Sequence, residues 1–188
     1  MRERIKEILL ESIQVKEELL HTKVDEIMEI TRQIIDSLKK GGKVILFGNG
    51  GSASDSQHIA AELIGRFKKD RNALAAIALT TNTSILTSLA NDYSYEIIFS
   101  KQIEALGQKN DIAIGISTSG KAKNVALGIK QAKKMGLKTV ALSGGDGGEI
   151  VKLADTSLLV PSPVTARIQE AHITIGHIIC EFVEAAFC

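Results

Sequence analysis

The sequence predicts an α/β fold, a doubly wound five-stranded parallel sheet with an N-terminal helical arm, and three observations carry that expectation. Short β-rich runs alternate with helical patterns from Lys43 onwards, which implies parallel strands covered on both faces. The first run, Val44-Ile45-Leu46-Phe47, passes directly into the glycine turn Gly48-Asn49-Gly50-Gly51 and then into a helical pattern. The chain has 188 residues, 44% of them apolar, enough for one α/β domain and too few for two ordinary ones.

Taken in order, residues 5–38 carry apolar side chains at helical spacing with charges between them. Two helices are expected there, jointed near His21-Thr22, and Gly41-Gly42 ends the second. Strands follow near 43–48, 74–79, 111–116, 138–142 and 157–160. Helices are expected near 52–67, 83–106 with a break, 121–136, 147–153 and 164–187. The leading pair, residues 1–40, belongs to no strand crossover, so its apolar stripes need another surface, and a neighbouring subunit is the expected one. Residues 1–188 are otherwise read as a single domain without linkers or repeats.

Composition excludes several partner classes. Twenty-three basic and 22 acidic side chains leave a net charge of +1, so no bulk charge is available to hold nucleic acid or a membrane surface. No apolar run approaches the roughly 20 residues of a membrane span. Two cysteines, Cys180 and Cys188, and a charged start suggest a cytoplasmic protein with free thiols.

Parallel α/β sheets bind ligands beyond the carboxyl ends of their strands, which directs attention to the loops after the first and third runs. Gly48-Asn49-Gly50-Gly51-Ser52-Ala53 matches a dinucleotide-binding glycine pattern, but the second strand ends in Leu79-Thr80-Thr81-Asn82, without the acidic residue that would hold a ribose. Gly115-Ile116-Ser117-Thr118-Ser119-Gly120-Lys121-Ala122 falls one residue short of a nucleotide P-loop, because Ala122 cannot coordinate magnesium. A monophosphate site fits better. Ser117, Thr118 and Ser119 offer three hydroxyls where a helix is expected to begin, one helix N-terminus favours a small dianion, and a cap needs only one hydroxyl. Asn49 and Ser52 are placed to approach the same ligand. His58 and Glu62, four apart on a helix, share a face and could share a metal. Gln169 and His177 are eight apart on the last helix, roughly 80° apart around its axis. His21 and His172 are read as structural or solvated.

Together these residues resemble the sugar isomerase (SIS) domain family, and within it the phosphoheptose isomerases. The resemblance spans nearly the whole chain, arm included. It rests on Gly48-Asn49-Gly50-Gly51-Ser52, His58-x-x-x-Glu62, Asn91-Asp92, Ile116-Ser117-Thr118-Ser119-Gly120 and Arg167-Ile168-Gln169-Glu170-x-His172 with His177 beyond. It implies a flavodoxin-like SIS domain and a homotetramer. The implied reaction interconverts sedoheptulose 7-phosphate and D-glycero-D-manno-heptose 7-phosphate, the first step towards the heptose of surface polysaccharide such as lipopolysaccharide. It also implies one zinc per subunit on His58, Glu62, Gln169 and His177. Glu62 and His177 are then the acid–base pair. Asn49, Gly50, Gly51, Ser52, Asn91, Asp92, Ser117, Thr118, Ser119 and Gln169 hold the phosphorylated sugar. Two positions depart from the family pattern. Lys121-Ala122 lacks a further serine, for which the Lys121 charge is expected to compensate, and Ala166 stands where some members have Asp. A second reading comes from a non-catalytic relative with the same fold, the DnaA initiator-associating protein, which lacks the counterparts of Glu62 and His177.

Overall fold

A computed structural model describes all 188 residues. Two helices, α1 (Arg2–Thr22) and α2 (Val24–Lys39), lead into β1 (Val44–Gly48), α3 (Gly51–Ile64), β2 (Ala76–Ala78), α4 (Thr83–Asp92) and, after a 3-10 turn at Tyr95–Ile97, α5 (Ile98–Leu106). The chain continues through β3 (Ile112–Ser117), α6 (Lys123–Lys134), β4 (Lys138–Gly144), a short α7 (Ile150–Leu153), β5 (Thr156–Val160) and α8 (Thr165–Ala185). All neighbouring strands pair in parallel in the order β2-β1-β3-β4-β5. This is the doubly wound five-stranded sheet that the alternation predicts, in the flavodoxin-like order.

Strand residues alternate between two cores. Val44 and Leu46 of β1, Ile112, Ile114 and Ile116 of β3, and Val140 and Leu142 of β4 join α2, α3 and α8 in a cluster of 24 buried residues. Ile45, Phe47, Ala113 and Ala141 point the other way, into a cluster of 14 with α5, α6 and α7. Both faces of the strands are apolar because both are covered. Helix α4 packs on the second cluster only through the partly buried Leu86, Leu89 and Ala90, and none of its ten residues is fully buried.

The leading pair corrects one expectation. Ile27, Ile30 and Ile34 of α2 are buried in the larger core, so the sheet of this same chain covers that stripe. Both helices keep an uncovered apolar face: Ile5, Ile8, Leu9, Leu10 and Ile13 of α1 are exposed, with Leu19 alone buried there, and Val24 and Met28 of α2 are exposed beside Phe182 of the last helix. The joint falls at Lys23, whose N–H bonds back to Leu19 and whose carbonyl accepts from Ile27. Helix α1 is tied to α8 by polar contacts: Arg167 Nη1 donates to the Ile8 carbonyl at 2.8 Å, and Ser12 Oγ donates to Glu170 at 2.8 Å. Arg167 and Glu170 also pair with each other at 2.7 Å. These two members of the Arg-Ile-Gln-Glu segment therefore serve the arm.

Candidate active site

The loop after β1 is held by amides. Asn49 and Asn124 exchange reciprocal hydrogen bonds of 2.8 and 2.9 Å, and Tyr95 Oη donates to Asn49 Oδ1 at 3.0 Å. The side chain of Asn49, predicted to approach a ligand, thus ties its loop to the start of α6. Ser52 is buried in the first turn of α3.

The serine loop leaves the end of β3. Ser117 is buried, Thr118 half-buried and Ser119 exposed. Helix α6 begins only at Lys123, later than the hydroxyl pattern suggests, and no side chain caps it. The delay comes from Gly120, whose φ of +65° turns the chain against Gly147 so closely that a Cβ would strike the Gly147 backbone. None of the hydroxyls at 117–119 is therefore engaged as a cap of α6. Thr118, Ser119 and Lys121 instead border an open concavity of about 640 Å³, closed on its other side by Asp146, Ser162 and Thr165. Lys121 Nζ lies 2.9 Å from Asp146 Oδ2, and its hydrogen bond holds the Asp146 carboxyl below its ordinary range. Both side chains are 66% exposed, so this is a solvent-screened surface pair.

Three of the four residues proposed for a metal meet within this one chain. Gly51 touches Gln169, Ile59 touches Gly176, and His58 touches His177, so α3 and α8 run side by side in the same direction. His177 Nε2 is 3.2 Å from His58 Nε2, and His58 Nε2 is 3.1 Å from Glu62 Oε1. A neutral imidazole carries one N–H and one lone pair. Two facing Nε2 atoms are therefore joined by a single hydrogen bond, or by a cation when both protons sit on Nδ1. Two ligand atoms about 2 Å from one tetrahedral zinc lie about 3.3 Å apart, close to both separations here, and the three ligand atoms lie within 4.8 Å of one another. The donor set fits a metal. The ring of Phe67 packs on His177 with centroids 5.6 Å apart.

Gln169 sits nearer the start of both helices. Its amide lies against Gly51, where any Cβ would overlap it, seven residues before His58 on α3, or about 10 Å at the helical rise. Asn91 and Asp92 end α4 at the surface, with Asn91 Nδ2 donating to Asp92 at 2.9 Å. His172 is fully buried and hydrogen-bonded through Nε2 to the Ser143 carbonyl at 3.1 Å, and burial pulls its pKa down to about 4, leaving it a neutral structural group.

Sequence reasoning passed over Asp55. It lies on α3 one turn before His58, is only 7% exposed, and leaves Oδ2 without a hydrogen-bond partner. Burial pushes its carboxyl up to about 6, against the opposing pull of His58. The available signal was its spacing, three residues before His58 and four after Gly51, which puts a carboxylate on the face that meets α8. Because the folded value lies above the ordinary one, the folded protein keeps a proton that the unfolded chain releases at lower pH, so this group's contribution to stability falls as pH rises through that window. We expect the melting-temperature difference between metal-free Asp55→Asn and wild type to grow in the variant's favour from about pH 4 to about pH 6.5. A difference that stays constant over that range contradicts the assignment.

Comparison with known proteins places these features. A SIS domain family model matches residues 9–144. The phosphoheptose isomerase of Aquifex aeolicus is 52% identical over all of this chain and 98% of its own, and that of Clostridium acetobutylicum is 51% identical over 98% and 95%. Among solved structures, phosphoheptose isomerase GmhA from Neisseria gonorrhoeae superposes with a TM-score of 0.93 at 42% identity, covering 98% of each chain. The chain belongs to the SIS domain family and, within it, to the phosphoheptose isomerases, and it is an isomerase.

Proposed function

We propose that this protein interconverts sedoheptulose 7-phosphate and D-glycero-D-manno-heptose 7-phosphate through a cis-enediol, in the cytoplasm, as a homotetramer of single-domain subunits holding one zinc each. The product would enter the synthesis of surface polysaccharide. The observation that carries this reading is the meeting of Glu62 and His177 at His58, within an overall likeness to phosphoheptose isomerases that covers the whole chain.

The reaction moves one proton between carbons and one between oxygens. Glu62 takes a proton from C1 of the ketose and, after exchange with solvent at the enediol stage, delivers one to C2, while His177 carries the hydroxyl proton from O1 to O2 as the carbonyl shifts to C1. Steps of this kind are typically worth 10²–10⁴-fold each. Zinc on His58, Glu62 and His177, with Gln169 as a fourth ligand, would supply Lewis-acid polarisation of the sugar carbonyl. Ser52 and the 117–119 loop grip the phosphate and fix the far end of the sugar without entering the chemistry. Asn91 and Asp92 bind sugar hydroxyls.

The reading is tested by incubating the protein with sedoheptulose 7-phosphate in D₂O. NMR should reveal the aldose with deuterium at C2, and neither product nor exchange at C1 would favour the non-catalytic relative. Ser119→Ala should act mostly on KM, because a hydrogen bond to a charged group contributes about 1.5–3 kcal/mol. A loss confined to kcat would contradict the positioning role. Protein purified without chelator should contain up to about one zinc per chain, reduced in His58→Ala. Wild type that neither holds nor takes up zinc sinks the metal part of the proposal.

A further inference from the structure

We propose that Glu184 and Arg71 are positioning residues for the isomerisation. Together they would fix the segment between α3 and β2 so that it holds the backbone of Glu62 and the ring of His177 at once. The inference rests on the reading of those two residues as the proton-transfer pair.

Glu184 lies near the end of α8, seven residues after His177 and therefore about two turns along the same side of the helix. It is 2% exposed. Its carboxylate accepts three consecutive backbone N–H groups, from Phe67 at 2.8 Å, Lys68 at 2.7 Å and Lys69 at 2.8 Å. Successive N–H groups converging on one anion form a nest, here filled by the chain's own side chain. Burial opposes the charge of Glu184, but the three N–H donors and Arg71 outweigh it and hold its carboxyl below the ordinary range. A carboxylate is costly to bury without such partners.

The same segment touches the proton-transfer pair at two points. Phe67, placed by the first of those bonds, packs its ring on His177 with planes tilted by 31°. Arg71, whose side chain is 2% exposed, faces Glu184 Oε2 at 3.5 Å through Nε and donates through Nη2 to the backbone carbonyl of Glu62 at 2.8 Å. Its Nη1 reaches the carbonyls of Asn72 at 3.0 Å and Gly65 at 3.3 Å. Glu62 stands in the last turn of α3, where carbonyls lack partners within the helix and a terminal cation is favourable. Arg71 therefore stops the turn that carries Glu62 from fraying, and Glu184 stops Arg71 from leaving. One buried carboxylate at the far end of α8 thus sets the separation of two groups that it does not touch.

Glu184→Gln keeps the shape of the side chain but places an N–H donor against the nest. At a temperature where circular dichroism shows the variant fully folded, kcat should fall about 10- to 100-fold, as small displacements of reacting groups do, with KM within about twofold. Glu181→Gln, at an exposed neighbour that pairs with Lys68 on the surface, is the control and should leave both unchanged. A second readout is independent of turnover. The Cε1–H signal of His177 in ¹³C-histidine-labelled protein, assigned by its loss in His177→Gln, should move in Glu184→Gln towards its position in Phe67→Leu, where the neighbouring ring is gone. An unmoved signal, or a moved signal with wild-type kcat, overturns the proposal. A moved signal in a protein whose wild type has no isomerase activity supports the clamp and condemns the function instead. If Glu184→Gln does not fold, Arg71→Lys carries the test by the same two measures, and a folded Arg71→Lys with wild-type kcat overturns the proposal.

Discussion

Glu62→Gln and His177→Gln are each expected to lower kcat at least about 100-fold with little change in fold, since each removes a partner in proton transfer. Because both residues are also among the proposed zinc ligands, zinc content is measured alongside kcat. Glu62 is half-buried and its Oε1 faces His58, so glutamine preserves the size of the side chain and a carbonyl oxygen facing the imidazole, while its amide cannot accept a proton from carbon. His177 sits against His58 and Phe67, a space that glutamine fills without a nitrogen that can accept a proton. Steady-state kinetics with circular dichroism checks both. A folded variant that keeps more than about a tenth of wild-type kcat removes its residue from the acid–base role.

The second large effect is a recovery of activity. Gln169→Ala and His177→Ala should each be inactive, and dissociating then reassembling a mixture of the two should return a sizeable fraction of wild-type rate. In one chain Gln169 lies at Gly51 while His177 lies at His58, eight residues or about 12 Å apart along α8. Helical side chains lean towards the N-terminus, so Gln169 leans away from His177. A metal held by the three-residue group would then receive its fourth ligand from a second copy, and some mixed interfaces would carry both wild-type residues. Mixed oligomers that demonstrably form yet stay as inactive as either parent would assign each site to a single chain.

The two periodicities made most of the fold legible. Val44 to Phe47 read as a strand buried on both faces, and the residues after Gly48 read as a helix, because nothing remote is needed to decide either. The boundaries that shifted depend on remote contacts. Helix α3 ends at Ile64 rather than near 67 because Arg71 takes its terminal carbonyls and Glu184 takes the N–H groups that follow. Helix α6 starts late because Gly120 turns against Gly147, 27 positions away. The i, i+4 spacing brought His58 and Glu62 together on paper. His177 needed the packing direction of α3 and α8, which no spacing within one helix reveals. Asp55 stayed hidden because a charged residue in a helical pattern reads as solvated until its neighbours are known.

Helix α4 buries none of its residues fully and meets the smaller core only through the partly buried Leu86, Leu89 and Ala90. Its amides should therefore exchange with solvent through local opening, far more readily than those of β1 or β3, whose residues are all buried. Asn91 and Asp92 sit at the end of this helix, so a sugar that grips them must also still them. If the sugar binds there, damping the motion of α4 would cost part of the affinity, and slowed exchange over Thr83–Asp92 would measure that damping.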